Sequence, residues 1–283
     1  MNRVEPTVSA ESQLQRALDC GELIRLYQPV IHLGTGALVQ VEALLRWDLP
    51  GRGLLAPGEF LVDEDDSTLL VRIGWSVVIE AARRSAAWRS AFPARPITVS
   101  VNLFDDHLER RDLPTRVEHL LRDNLLHDDE PDDHELAGPR ALAVEVGEHH
   151  LLGRRFRTRD RLVMLHNLGV DVIIDDLGAG EAGTDAAPDR LRDWAVEFFA
   201  TLRSFPLAGV KLDPHFVRRL GTEERVHDVV EAAHASEVTV VALAVEDDAM
   251  ARRAERVGFD LAQGFHFVRP ERPSRIDELL AAS

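Results

Sequence analysis

Cysteine occurs once in these 283 residues, as Cys20, and lysine once, as Lys211. A lone cysteine excludes an internal disulfide framework and any cysteine-rich zinc site. No apolar run approaches the roughly 18 residues that span a bilayer. The N-terminal stretch MNRVEPTVSAESQ lacks the apolar core of a signal peptide. These absences together favour a cytoplasmic protein with no membrane association. Positive charge is also scarce: the formal net charge is −16. So acidic a surface repels nucleic-acid polymers and anionic membranes. It does not exclude a small phosphorylated ligand, because bound cations invert the local field. Some of the acidity is local, and HDDEPDDHELAGPR (127–140) and DEDD (63–66) read as solvated loops.

What remains is an ordinary globular composition, 45% hydrophobic and 29% charged, with ample material for a core. Short β-type runs stand at 38–47, 97–103, 141–146, 170–176, 209–213, 238–245 and 259–265. Between them, at 74–91, 116–126, 159–169, 192–205 and 224–236, apolar residues recur every three or four positions, as amphipathic helices require. Strand–helix alternation predicts a mostly parallel sheet with helices outside. Over this length a closed (β/α)₈ barrel is the economical arrangement, with a doubly wound open sheet as the alternative. No Gly-rich fingerprint follows the first run to favour a dinucleotide fold.

The runs end in polar residues: Glu42, Asn102, Glu145, Asp175 with Asp176, Lys211 with Asp213, Glu246 and Gln263. In a barrel these ends gather on one face, where active sites lie. Each alone could be a satisfied structural polar group. Burying several carboxylates together is costly unless a cation neutralises them. The set is oxygen-rich and free of histidine and cysteine, which favours hard cations such as Mg²⁺ or Mn²⁺. Asp175 and Asp176 point opposite ways if the strand stays regular; both turn inward if the chain leaves it there. A cation pair about 3.5–4 Å apart would activate water for phosphodiester hydrolysis. Lys211, a compact point charge where every other basic side chain is arginine or histidine, suits a place beside that centre.

The motifs YQPVIHLGTGALVQVEALLRW, APGEFL (56–61), VSVNL (99–103), AVEVGE (143–148), DDLGAG (175–180), VKLD (210–213) and QGFHFVRP (263–270) follow one another in the order of the EAL family, which this chain resembles over roughly residues 12–273. Members bind and hydrolyse cyclic di-GMP. The resemblance implies a modified TIM barrel with an antiparallel first strand, and cation ligation by Glu42, Asn102, Glu145, Asp175 and Asp176. It further implies action of Lys211 on the attacking water, nucleotide contacts from Leu44, Arg46 and Gln263, and support by Glu148 of the loop after the double aspartate. The expected organisation is a tail at 1–11, one barrel at 12–273 with a long insertion at about 181–208, and a tail at 274–283.

The sequence departs from that family's pattern on the sixth strand. The family reads approximately Ala-Glu-Gly-Val-Glu, whereas this chain reads Ala242-Leu243-Ala244-Val245-Glu246. Leucine cannot ligate a cation, so one cation site is expected complete and the second short of a ligand, with Glu246 or Asp247 as a nearby substitute carboxylate. After DDLGAG the aromatic-Ser-Ser segment is absent and the connection is longer, and Gly147 stands where a threonine is usual. The resulting expectation is a cyclic di-GMP binder whose phosphodiesterase activity is weak or lost. The alternatives are an active cation-dependent phosphodiesterase and a protein-interaction module that binds no nucleotide. Either a homodimer or another protein partner would fit the altered loop.

Overall fold

The computed structural model describes residues 10–61, 67–124, 140–151, 156–179, 191–202, 205–220 and 222–282. The acidic runs 63–66 and 127–139, and residues 181–190 of the lengthened loop, lie outside them. Among the described residues, nine strands form one sheet: β1 (Leu23–His32), β2 (Leu38–Leu49), β3 (Gly53–Leu55), β4 (Thr98–Asn102), β5 (Leu142–Gly147), β6 (Val170–Leu177), β7 (Gly209–Leu212), β8 (Thr239–Ala242) and β9 (Leu261–Ala262). β1 pairs with both β2 and β9, so the sheet closes on itself, and β3 hangs on β2 as a hairpin extension. The other neighbours in the ring, from β2 through β4 to β9, run parallel, and β1 is antiparallel to both its neighbours. The architecture is the modified TIM barrel with an antiparallel first strand.

β1 is absent from the runs picked out by composition alone. Its LIRLYQPVIH carries arginine, glutamine and proline among the apolar residues, yet Leu23, Leu26, Tyr27 and Val30 are buried. The central strands are rich in β-branched residues and buried on both faces (β7 wholly so), because helices cover them outside and side chains fill them inside.

The helices are α1 (Ala10–Asp19), α2 (Pro57–Phe60), α3 (Ser67–Ala91), α4 (Asp105–Glu109), α5 (Leu113–Asp123), α6 (Phe156–Asn167), α7 (Leu191–Leu202), α8 (Pro214–Leu220), α9 (Glu223–His234), α10 (Asp248–Val257) and α11 (Pro273–Ala282). Two of them lie in the stretches 181–208 and 274–283. Parallel β6 and β7 need a crossover, and α7 supplies it: it buries Ala195, Phe198, Phe199 and Leu202 and packs against α9. That part of the stretch 181–208 is the barrel's own helix. Residues 274–282 belong to α11. Ile276 and Leu280, four apart on one face of α11, are buried, and Asp277 accepts a 2.6 Å bond from Trp88 Nε1. No helix among the described residues is long and apolar enough to cross a membrane.

Candidate functional site

Register decides which side chains share the barrel interior. Gln28 stands opposite Glu42, Asn102 opposite Glu145, and Gly147 opposite Asp175. Side chains alternate along each strand, so Glu42, Asn102, Glu145, Asp175 and Lys211 all point inward near the C-terminal ends of their strands. Lys211 Nζ is the centre of the group. It donates to Glu42 Oε2 and to Glu145 Oε2, each at 2.7 Å. Asn102 Nδ2 donates to Glu42 Oε1 at 2.8 Å, and Gln263 Nε2 donates to Glu42 Oε2 at 2.8 Å and to Gln28 Oε1 at 3.2 Å. Lys211 and Glu145 are each 1% exposed. Glu145 Oε1 is buried without a hydrogen-bond partner.

This crowding separates the carboxyls by charge state. Burial works against an ionised Glu42, but the charge and bond of Lys211, with the bonds from Gln263 and Asn102, hold its carboxyl below the usual range. Burial, together with the charge of Glu42, pushes Glu145 up to about 8. Burial likewise raises Asp175 to about 6, and raises Asp176, the latter with help from the charge of Asp213. Burial alone would lower Lys211; Glu145, Glu42 and Asp175 overcome it, and the ammonium keeps its proton. An all-oxygen donor set with one orphaned carboxylate oxygen and two carboxyls that resist ionisation fits a hard divalent cation.

A group whose folded value is raised confers stability that is complete below its unfolded value and lost as pH rises through its folded value. In chelator, Asp175 and Glu145 should therefore lower the melting temperature as pH rises through about 6 and then about 8. Millimolar Mg²⁺ should restore more at about pH 8 than at about pH 5, and Glu145→Gln should flatten the decline. Thermal melts check this; an equal Mg²⁺ effect at both pH values would contradict it.

At Asp175–Asp176 the chain leaves the regular strand. Asp176 has φ of 51°, and the β6–β7 register shifts between Ile174 and Leu177. Both aspartates consequently line one cavity of about 260 Å³, with Gln28, Glu42, Lys211 and Gln263. The next turn is held by Glu148, whose Oε2 accepts a 3.0 Å bond from the Gly178 N–H. Gly178 has φ of 89°, and a Cβ there would lie 2.3 Å from Phe216 Cγ, so only glycine fits. Asp213 does not join the cluster: it accepts from Phe216 N at 2.7 Å and caps α8. Arg46 is half-buried beyond Glu42 and donates to Leu45 O, and Leu44 is half-buried beside it.

The remaining wall of the cavity is formed by Leu243, Ala244, Glu246, Gly264 and Phe265. Leu243 presents a hydrocarbon surface to a cavity that the carboxyls of Glu42, Asp175 and Asp176 also line. Glu246 reaches the same cavity, from the exposed side. Ala244 has φ of 52°, a left-handed conformation in which a Cβ costs about 1 kcal/mol. Ala244→Gly is expected to raise stability by about that much, read as a higher urea midpoint with an unchanged slope. Composition-based reading missed Gln28 and Phe265. Gln28 lies on the unrecognised β1, and Phe265 is a half-exposed ring with Arg269 stacked 4.2 Å above it, a placement no local pattern reveals.

The EAL domain profile matches residues 11–189 and 195–270. Cyclic di-GMP phosphodiesterase RocR of Pseudomonas aeruginosa is 29% identical over 261 residues, which cover 90% of this chain and 59% of RocR. The oxygen sensor protein DosP of Escherichia coli is 30% identical over 91% of this chain and 29% of its own length. The chain thus spans less than two thirds of the length of each of these two relatives. Among solved structures, the PaMucR phosphodiesterase in complex with c-di-GMP is 27% identical, with a TM-score of 0.78 over 94% of this chain and 99% of that one. Profile, strand order and the antiparallel first strand agree over nearly the full length, and the chain belongs to the EAL domain family.

Proposed function

We propose that this chain binds cyclic di-GMP at the open end of the barrel and hydrolyses it slowly or not at all. One observation carries the reading: Leu243 occupies a wall of the cavity that also exposes Asp175 and Asp176. Glu42, Asn102, Glu145 and Asp175 would hold one divalent cation, Mg²⁺ or Mn²⁺, with Asp176 facing a second position that Leu243 leaves short of a donor. When bound, such a cation supplies charge for the phosphate oxygens and lowers the pKa of its water.

The chain's own residues do the rest. Lys211 stays protonated between Glu42 and Glu145, so it can donate a hydrogen bond to the attacking water but cannot remove its proton. Arg46 offers a guanidinium to a phosphate, Gln263 an amide, and Phe265 a flat ring at the mouth on which a purine base can lie. Glu148 holds the Gly178 amide and thereby the backbone that aims Asp175 and Asp176 inward.

A second reading, an active phosphodiesterase, draws support from Glu246, a carboxylate on the same cavity wall. Purified protein mixed with stoichiometric cyclic di-GMP and Mg²⁺ or Mn²⁺, followed by chromatography, separates the readings. Intact nucleotide retained on the protein is the expected result. Rapid appearance of linear pGpG would establish the active enzyme and turn attention to Glu246 as a substitute ligand, tested by Glu246→Gln. No binding would leave a protein-interaction module.

A further inference from the structure

Among the described residues, one other group of donor atoms converges outside the carboxylate cluster. We propose that Asp105, His149 and His150 form a cation site for a borderline transition metal of the Zn²⁺ class. The barrel's register creates it. β4 and β5 run parallel with Asn102 opposite Glu145. Three residues past Asn102 the chain opens α4 with Asp105. Past Glu145 it enters a 3₁₀ turn, Glu148–His150. The two turns are therefore side by side at the same end of the barrel.

His150 Nε2 lies 3.0 Å from Asp105 Oδ1, and His149 Nε2 lies 3.7 Å from the same oxygen. All three donor atoms fall within 4.8 Å of one another. Around a tetrahedral Zn²⁺ with bonds of about 2.0–2.1 Å, ligand atoms sit about 3.3 Å apart, and the two measured separations bracket that value. His150 is buried while Asp105 and His149 are exposed. The group is thus anchored from inside and open to water on the outside, as a site with three protein ligands and a free position requires.

A plain surface ion pair explains this arrangement poorly. One imidazolium would satisfy Asp105, yet two rings turn their Nε2 atoms toward one carboxylate oxygen, with centroids 3.9 Å apart. One cation can take a lone pair from each of the two rings. Gly147 makes the arrangement possible: a Cβ there would lie 2.8 Å from His149 Cε1 and Nδ1, so a larger residue would displace the ring. Two imidazoles and one carboxylate select Zn²⁺, Co²⁺ or Ni²⁺, not the Mg²⁺ that suits the oxygen-only cluster. The same turn carries Glu148, bonded to Gly178 N, so a cation here would stiffen the support of the double aspartate. The proposal stands on this geometry and is independent of the cyclic di-GMP reading.

The test is titration of the full chain with Zn²⁺ in millimolar Mg²⁺, followed by calorimetry, with Co²⁺ as a spectroscopic probe. Expected are one equivalent of Zn²⁺ that Mg²⁺ does not displace, and visible Co²⁺ bands. His149→Ala and Asp105→Asn, both at exposed positions, should weaken this binding by about 10-fold or more and abolish the bands, with circular dichroism unchanged. Asp176→Asn should leave both untouched. No Zn²⁺ binding in the presence of Mg²⁺, equal binding by parent and His149→Ala, or loss in Asp176→Asn but not in His149→Ala would each overturn the assignment.

Discussion

Lys211→Met is expected to destabilise the apo protein by about 3–5 kcal/mol, the usual consequence of removing one partner from a buried ion pair. Lys211 is the cation that touches both Glu42 and Glu145, at 2.7 Å each. Without it, the buried Glu42 loses the charge and the bond that hold it ionised, and it must take up a proton or draw in water. Methionine keeps much of the side-chain volume, so the loss measures charge and not a cavity. Urea unfolding at about pH 7.5 in chelator gives the number, and Mg²⁺ should recover part of it by replacing the missing positive charge. Whatever phosphodiester turnover the parent shows should disappear. A loss below about 1 kcal/mol, the scale of an exposed pair, would mean that water already reaches the carboxylates and that the ammonium does not organise the site.

The second large effect is expected from Leu243→Glu: a gain in pGpG formation of about 10–100-fold or more, since even an outer partner of a metal ligand is worth that much. Leu243 lines two spaces, the polar cavity and an apolar pocket behind it that includes Pro214, Val217, Val226 and Val257. A glutamate can leave its methylenes at that boundary and place its carboxylate in the polar cavity, where Asp175 and Asp176 already point. Leu243→Gln supplies the same shape without the charge and should gain little. If Leu243→Glu folds normally and gains nothing, the lengthened connection after Asp176 limits turnover, and Leu243 is a secondary defect.

Much of the fold was legible because strand and helix periods differ, and alternating β-branched and amphipathic runs report them directly. β1 was not, since RLYQP mixes polar residues and a proline into a strand whose burial comes from closing the barrel. The polar strand ends were legible as a group. Their partners were not: that Lys211 lies between Glu42 and Glu145, residues 169 and 66 positions away, depends on register, which sequence does not print. Nor does composition reveal that Asp176 and Ala244 adopt left-handed φ, because both are ordinary L residues. That backbone bend is what turns both aspartates inward. The grouping of Asp105 with His149 and His150 was illegible for the same reason as the lysine: neighbouring strands bring together residues that the chain keeps more than forty positions apart.

The placement of Lys211 has a practical consequence. It is the only lysine, it is 1% exposed, and every other basic side chain is an arginine or a histidine. Apart from the α-amino group, acylating reagents meet no ammonium on the folded surface. Acylation of Lys211 therefore requires its ion pairs with Glu42 and Glu145 to part and the reagent to enter the cavity, and its rate under native conditions is a clock for that opening. The same clock should slow when a ligand or cation closes the site, so a single modified peptide in a mass spectrum would report occupancy, opening and the integrity of the central ion pair together.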